Sequence, residues 1–375
     1  MLKTFLLDSI DNYWRNIDKS ILFSFLILFF LGVFFSFSST SSLAGERLDK
    51  ANYFFFIRHL IFASLSLTLM LAISSVRLDM LNKAIAPLFF FLLILLILVP
   101  FIGVEVKGSK RWLNIFFLRL QPVELIKPFF ILMTARILCS QLFDKNFVSY
   151  FLSFFILTSV AFLLINQPDF GQTVLIISTW LSLIFISGIK VMYLVLIGIF
   201  VISLSVVIFF LFPEKFGYII KRLLTFLDPS SGDNFQNEKA LEAIKLGGLK
   251  GQGMGEGILK DSVPEAHTDY IIAIISEEFG SILSIMIVLI FLYISYRVIK
   301  ICIKEENEFI RLSLSGLSSL LIFQTFIHIG VNTSLLPTTG MTLPFLSYGG
   351  SSLIGSAILA GLILNFTKKR FLNEK

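Results

Sequence analysis

Long apolar runs constrain this chain more than any other feature. Ten stretches, at 20–38, 54–75, 84–103, 122–141, 147–166, 172–189, 191–213, 270–298, 309–331 and 351–367, are built mainly from Leu, Ile, Phe and Val. Most exceed the roughly 18 residues that mark a membrane-spanning helix. The chain is 56% hydrophobic over 375 residues, above the roughly 45–50% of a soluble domain. In lipid a segment must satisfy its own backbone amides, so each run is expected to be a helix. The predicted fold is an all-α polytopic membrane protein with about ten transmembrane helices. It reads as a single membrane domain over 1–375, with an N-terminal segment 1–19, a large loop 214–269 between helices seven and eight, and a tail 368–375. The stretch MLKTFLLDSIDNYWRNIDKS before the first run is too long and too acidic for the head of a cleavable signal, so the first helix is expected to be retained.

Basic residues orient the chain. Arg77, Lys83, Lys145, Lys190, Arg297, Lys300, Lys304 and Arg311 fall in one set of connections, together with Lys3, Arg15 and Lys19 before the first run and Lys368, Lys369 and Arg370 after the last. That side is cytoplasmic by the positive-inside rule, and both termini lie on it. The net charge of +6 is mostly this signal and suggests no nucleic-acid partner. Cys139 and Cys302 lie near cytoplasmic helix ends. They read as small apolar residues and supply neither a disulfide nor a metal framework. One outer loop departs from the rule: VEVKGSKRWLNIFFLRLQ, residues 104–121, sets Lys107, Lys110, Arg111 and Arg119 against Glu105 alone. Either this is ordinary scatter, or the loop meets an anionic group such as a phosphate at the outer membrane surface.

The 214–269 interruption carries an amphipathic piece (FGYIIKRLLTFLDP), a second helical stretch (FQNEKALEAIKLGG) and a glycine-rich run (GGLKGQGMGEG). The glycines imply tight turns or close backbone approach. They do not make a nucleotide loop, because no Lys-Ser/Thr follows, no strand precedes, and the loop faces away from cytoplasmic ATP.

Ionisable residues at membrane depth are costly and point to function; here they gather at the outer ends of the spans. In QPVELIKPFF, Pro122 suits the first helical position, and Glu124 and Lys127 are three apart, close enough to pair. They form a self-neutralised structural pair, or Lys127 faces a cavity and binds phosphate while Glu124 holds it. Asp169 in NQPDFGQ caps a short turn, a structural role. Arg58 and His59 either snorkel to headgroups or line the same basic pocket. In VPEAHTDYIIAIISEEFG, Thr268 is the expected N-cap, with Asp269 in the first helical turn. Asp269, Ala273, Ser276 and Gly280 share a face, and everything below the carboxylate is small. Such a face allows close helix packing, or it leaves a groove under Asp269. Glu277 and Glu278 point about 100° apart on a helix, so one of them is expected to pair with an Arg or Lys from another span. Beside a groove and a basic loop, Asp269 suits a general base acting on a membrane-held, phosphate-bearing substrate. PTTGMTLPFLSYGGSS, residues 337–352, is either a re-entrant wall of the cavity or a plain connecting loop.

These stretches, taken in order, resemble the SEDS family (shape, elongation, division and sporulation), the bacterial peptidoglycan glycosyltransferases. The matching segments are KGSKRWLNIFFLRLQPVELIK, QPDFGQTVLI, KRLLTFLDP with NFQNEKALEAIKLGGLKGQGMGEG, VPEAHTDYIIAIISEEFG and LLPTTGMTLPFLSYGGSS. QPDFGQ, FLDP and PEAHTD are more similar to the division branch than to the elongation branch. The resemblance implies polymerisation of lipid II, a disaccharide-pentapeptide on undecaprenyl pyrophosphate, at the outer face of the inner membrane during septal wall synthesis. The 4-hydroxyl of the acceptor GlcNAc attacks the anomeric carbon of the donor MurNAc, undecaprenyl pyrophosphate leaves, and the linkage inverts. The family's essential aspartate falls on Asp269. Its basic and polar cavity residues fall on Arg111, Gln121, Glu124 and Lys127, with Arg58 joining them. With the neighbouring polar positions, the candidate substrate-binding set is Arg58, Lys110, Arg111, Gln121, Glu124, Lys127, His267, Thr268, Glu277 and Ser347. The implied partners are a class B penicillin-binding transpeptidase and other divisome membrane proteins. A divalent cation, Mg or Mn, would suit the pyrophosphate, although no compact ligand motif marks one. Two positions depart from the family's pattern: His328, where a small amide is expected, and Thr339, where Lys is common. A lipid II flippase is the rival from another class. It calls for polar groups through the whole membrane thickness, whereas the charges here cluster at the outer ends and spans three, five, six and seven are nearly uncharged inside. A mere scaffold would leave Asp269 and the basic loop without purpose.

Overall fold

The computed structural model describes residues 13–39, 54–106, 108–115, 118–140, 147–190, 235–259 and 267–369, with scattered positions between 192 and 227. In chain order the elements are α1 (Lys19–Ser39), α2 (Phe54–Ser75), α3 (Leu78–Ile102), β1 (Val104–Val106), β2 (Ser109–Ile115), β3 (Leu118–Leu120), α4 (Pro122–Leu138), α5 (Phe147–Asn166), α6 (Phe170–Ile186), α7 (Phe235–Gly247), α8 (Ile271–Cys302), α9 (Glu308–Asn332) and α10 (Gly350–Phe366). Among the described residues, nine of these helices fall on predicted spans, and α7 belongs to the large loop. Most of the predicted seventh span and of the 214–234 stretch, residues 1–12 of the N-terminal segment, positions 264–266 of the PEAHTD motif and tail residues 370–375 lie outside the described residues. Among the described residues, six helices are long and apolar enough to cross a membrane, and α6 and α10 are shorter apolar helices. The protein is a helical, multi-pass membrane protein.

Most helices expose wide Leu, Ile and Phe faces, as a lipid environment allows. α10 does the opposite, with fifteen residues of its seventeen buried. Its sequence, GSSLIGSAILAGLILNF, is rich in Gly, Ser and Ala, which let neighbouring backbones come close. Gly355 lies against the Glu124 carbonyl of α4, and Gly361 against Met70 and Ile73 of α2. At the cytoplasmic end, the Asn365 amide donates to the carbonyls of Ile73 (2.9 Å), Ser74 (3.2 Å) and Val76 (2.7 Å), satisfying the end of α2. Arg297 pairs with Asp18 there at 3.2 Å.

The basic loop is not helical. Strands β1, β2 and β3 form a small antiparallel sheet in that order. Val106 pairs with Ser109 across a tight hairpin, and Gly108 supplies a positive φ of 77° of the kind such turns need. Lys110 stands opposite Glu105, and Arg119 opposite Asn114.

α8 is broken near its outer end. Gly280 has φ 86°, ψ 163°, a region open essentially to glycine alone. The glycine-rich run mends the interrupted ladder. Gln252 and Gly253 donate to the carbonyls of Glu277 and Glu278 (both 2.9 Å), and the amides of Ser281 and Ile282 donate to Gly248 and Leu249 (2.9 and 3.4 Å). Irregular backbone at membrane depth is tolerated when protein satisfies it in this way. Gly247 and Gly251 press on the backbone of Ser276–Glu278 with no room for a Cβ. Ala240 and Ala243 of α7 cluster with Ala273 of α8. The small-residue face of α8 is therefore used for close packing: α7 fills the space where a groove was the other expectation.

Candidate functional site

The outer starts of α2, α4, α6, α8 and α10 converge with the outer ends of α1, α3 and α9. Glu124 and Lys127, one turn into α4, meet at 2.8 Å. Lys127 Nζ also donates to Gln172 Oε1 on α6 (3.1 Å) and Gln324 Oε1 on α9 (3.2 Å). An ammonium has three protons, and here all three have acceptors. Gln172 returns its amide to Glu124 at 2.7 Å, and Gln324 donates to the Thr342 carbonyl at 3.0 Å. Lys127 and Glu124 are only 3% and 4% exposed. Beside them lies a cavity of about 10 Å³, bordered by Gln324 and Ser356, room for one water.

A second cluster forms around the turn before α6. Asp169 caps that helix by accepting the Gln172 amide at 3.4 Å. Arg111 on β2 lies 4.0 Å from the Asp169 carboxylate, donates to the Gln167 carbonyl at 3.1 Å and also binds the Pro168 carbonyl. The Gln121 side chain reaches Asp169 at 3.5 Å. Burial pushes the Asp169 carboxyl above its ordinary value, with Arg111 pulling the other way. Asp169 has the structural role expected of it and also anchors Arg111.

Asp269 is surrounded differently. α8 begins at Ile271 with Tyr270 as N-cap. Residues 267–270 are a turn, so Thr268 is not the cap and Asp269 lies just before the first helical turn. The cap comes from another helix: Asn332 at the end of α9 accepts the Ala273 amide at 3.2 Å and donates to the Asp269 carbonyl at 3.0 Å. Ser347 donates to the Thr268 carbonyl at 2.6 Å, and the Tyr348 amide to the His267 carbonyl at 2.9 Å. The Asp269 carboxylate faces Gly340, where an added Cβ would stand 3.6 Å from it. The 337–349 segment is thus packed against the turn that carries Asp269. Met341, Leu343, Phe345, Leu346 and Ser347 are buried. Phe345 takes a strained φ of 68° with its ring between Phe25 and Phe29 of α1, at 5.4 and 5.0 Å.

The remaining candidates spread around this segment. His59 is buried and stacked on Tyr348 at 5.8 Å, and His267 meets the same ring edge-on at 5.6 Å. Arg58 lies over Phe62 at 5.9 Å, close enough to Tyr348 to favour its phenolate, although burial still raises that phenol overall. Lys110 is exposed on β2. Glu277, buried at the α8 break, accepts the Leu259 amide at 2.7 Å, and Glu278 accepts the Ser38 hydroxyl. Sequence reasoning missed Gln172, Gln324, Asn332 and Tyr348. The signal was present, because uncharged amides inside apolar helices need partners as charges do.

The family model described as Cell cycle protein, FTSW_RODA_SPOVE, matches residues 18–371. A relative from Caulobacter vibrioides, named Probable peptidoglycan glycosyltransferase FtsW, is 33% identical over 359 residues, covering 96% of this chain and 91% of its own. Stage V sporulation protein E of Bacillus subtilis is 33% identical over 354 residues, 92% of this chain and 94% of that one. A solved structure described as "Structural coordination of polymerization and crosslinking by a peptidoglycan synthase complex" superposes with a TM-score of 0.76 at 25% identity, over 94% of this chain and 97% of that one. The rod shape determining protein RodA of Thermus thermophilus shares the fold, with a TM-score of 0.69 at 24% identity and the same coverage.

Proposed function

From the premise that the chain belongs to the FtsW, RodA and SpoVE family of cell cycle proteins, we propose that it is a division-associated peptidoglycan glycosyltransferase with Asp269 as its base. The substrate is lipid II, and the site opens to the outer face of the membrane at the septum. One observation carries the choice of base. Of the five carboxylates considered at the outer helix ends among the described residues, Glu124, Asp169, Glu277 and Glu278 are at most 4% exposed, whereas Asp269 is partly exposed.

Chemistry follows from that placement. The Asp269 carboxylate accepts the proton of the acceptor's 4-hydroxyl as its oxygen attacks the anomeric carbon of the donor. The bond to undecaprenyl pyrophosphate breaks with inversion, and the leaving group carries away the electron pair. Arg58 and Lys110 supply positive charge toward the pyrophosphate. Arg111, Gln121, Glu124 and Lys127 build the polar wall behind them; His267 and Thr268 lead into Asp269 in its turn, Ser347 holds the Thr268 carbonyl, and Glu277 lies deeper, at the α8 break. Among the described residues no group of three or more His, Cys, Asp or Glu side chains gathers as a metal site, and no step is assigned to a cation. The partner is a class B transpeptidase that crosslinks the new strands. This reading is supported by the curated relatives' names and by the synthase-complex structure.

The test is polymerisation of lipid II by purified full-length protein with its transpeptidase partner, wild type against Asp269→Asn, with unfolding midpoints confirming a folded variant. Strands from wild type and none from the variant support the assignment. Equal polymerisation removes Asp269 from the chemistry. Movement of lipid II across vesicles without polymerisation hands the site to the transporter reading.

A further inference from the structure

Three consecutive carbonyls lead into and include the proposed base, and each accepts a hydrogen bond from outside its own segment. His267 O takes the Tyr348 amide at 2.9 Å, Thr268 O takes the Ser347 hydroxyl at 2.6 Å, and Asp269 O takes the Asn332 amide at 3.0 Å. A turn before a helix has no ladder of its own, so its orientation is set by such donors.

We propose that Ser347 and Asn332 are positioning residues that aim the Asp269 carboxylate, an inference that rests on Asp269 being the base. Ser347 was expected to bind substrate. Its hydroxyl proton instead goes to Thr268, its oxygen accepts the Leu343 amide at 2.8 Å, and the residue is 1% exposed. Asn332 is fully buried and joins two helices through one side chain. Its oxygen replaces the side-chain cap that Tyr270 does not provide, and its nitrogen holds both Asp269 O and, at 2.8 Å, His328 O of its own helix. An N-cap bond supplied in trans fixes the helix start and the preceding turn together. The third donor is a backbone amide on the loop that also carries Gly340, opposite the carboxylate. The same loop therefore holds the turn and walls its acid, and every donor comes from α9 or the loop that follows it.

This makes a kinetic distinction. A residue that touches substrate shifts KM. One that only aims the base lowers kcat and leaves KM in place, because ground-state binding is unchanged. Misplacement of a reacting group by about 1 Å costs roughly 100-fold, so losing one of three donors should cost roughly 10- to 100-fold in kcat. The experiment measures initial rates of lipid II polymerisation against lipid II concentration for wild type, Asp269→Asn, Ser347→Ala, Ser347→Thr and Asn332→Ala, all full length with the transpeptidase partner. The expected result is a drop in kcat at constant KM for Ser347→Ala and Asn332→Ala, with kcat recovering in Ser347→Thr, which keeps the hydroxyl. A raised KM at unchanged kcat puts Ser347 on the substrate and overturns the proposal, as do unchanged constants in both alanine variants. If Asp269→Asn polymerises like wild type, the base assignment falls and takes this inference with it. If Asp269→Asn is dead and the alanine variants are normal, only the inference falls. Amide exchange in wild type reads the same contacts without mutation. Slow exchange at Tyr348 supports a held turn, and exchange at the rate of an open amide overturns it even where a variant fails to fold.

Discussion

Glu124 and Asp269 both sit at the outer start of a helix, α4 and α8, and their surroundings differ in kind. Glu124 is met by side chains: Lys127 at 2.8 Å and Gln172 at 2.7 Å. Asp269 is held through the backbone of its turn, by donors from Asn332, Ser347 and Tyr348, and the residue stays partly exposed. A carboxylate with its charge neutralised and its lone pairs occupied is poor at taking a proton from a substrate. One whose turn is fixed from behind by such donors is aimed, and its partial exposure lets a substrate reach it. The same outer end therefore contains charges committed to holding the helices together and one placed for chemistry.

The sharpest way to break this contrast is Asp269→Asn. It removes a base and leaves the backbone donors in place, so polymerisation should fall by roughly 100- to 10,000-fold with little change in the unfolding midpoint. Loss of folding together with activity would make Asp269 one more structural charge.

Next in size is Lys127→Met. It leaves Glu124 buried beside two amides with no cation, at a cost of about 3–5 kcal/mol, read as a lower unfolding midpoint in detergent. Adding Glu124→Gln removes the orphaned charge and should restore most of that loss. If the double variant folds well and still polymerises, the pair is structural only. If it folds well and polymerisation is lost, Lys127 belongs to the chemistry after all, and the contrast with Asp269 narrows.

The two regions were unequally legible in the sequence. The apolar runs gave the helices to within a few residues, because lipid leaves the backbone no alternative. The largest boundary error, α3 starting at Leu78 instead of 84, came from discounting the polar turn of Asp79 and Lys83, which is helical without being apolar. The Glu124–Lys127 pair was legible as well, since residues three apart on a helix meet regardless of the rest of the fold. Their amide partners were not, because Gln172 and Gln324 arrive from 45 and 197 positions away and nothing local announces which helix faces which. The small sheet was missed because its strands are only three to seven residues long. The Lys107–Gly108 pair between VEV and SKRWLNI was its one readable turn signal. For α8, the shared small face of Ala273, Ser276 and Gly280 was visible, but its occupants, α7 and the glycine-rich run after it, dock there through tertiary structure.

Glycines of α8 and of that run give a smaller and more local test. Gly280→Ala meets both a positive φ of 86° and the Leu249 carbonyl, and should cost more than about 3 kcal/mol. Gly255→Ala has a similar φ of 83° with nothing within 4 Å, so it bears the backbone strain alone, roughly 1–3 kcal/mol. Unfolding midpoints that rank the two in this order support the stitch between the loop and broken α8. Equal losses would mean that only the backbone angle matters and that the loop is not bound there.

The smallest expected effect separates the two kinds of carboxylate by pH. Burial holds the Asp169 carboxyl above its ordinary value despite the opposing pull of Arg111. Over the interval between the ordinary and the raised value, the folded protein keeps a proton that the unfolded chain has lost. Stability therefore falls as pH rises through that interval and levels off above it. Asp169→Asn can still accept the Gln172 amide through its side-chain oxygen and has no proton to lose, so its share of that slope disappears. Midpoints of wild type and variant taken across the acid range should diverge as pH rises through this window, with the variant gaining relative to wild type. Parallel curves would show that the Arg111 contact offsets the burial in full, and Asp169 would then behave as an ordinary salt-bridged acid. Polymerisation by the variant, measured at neutral pH, should stay within about tenfold of wild type, because the residue shapes the wall and takes no proton from the substrate.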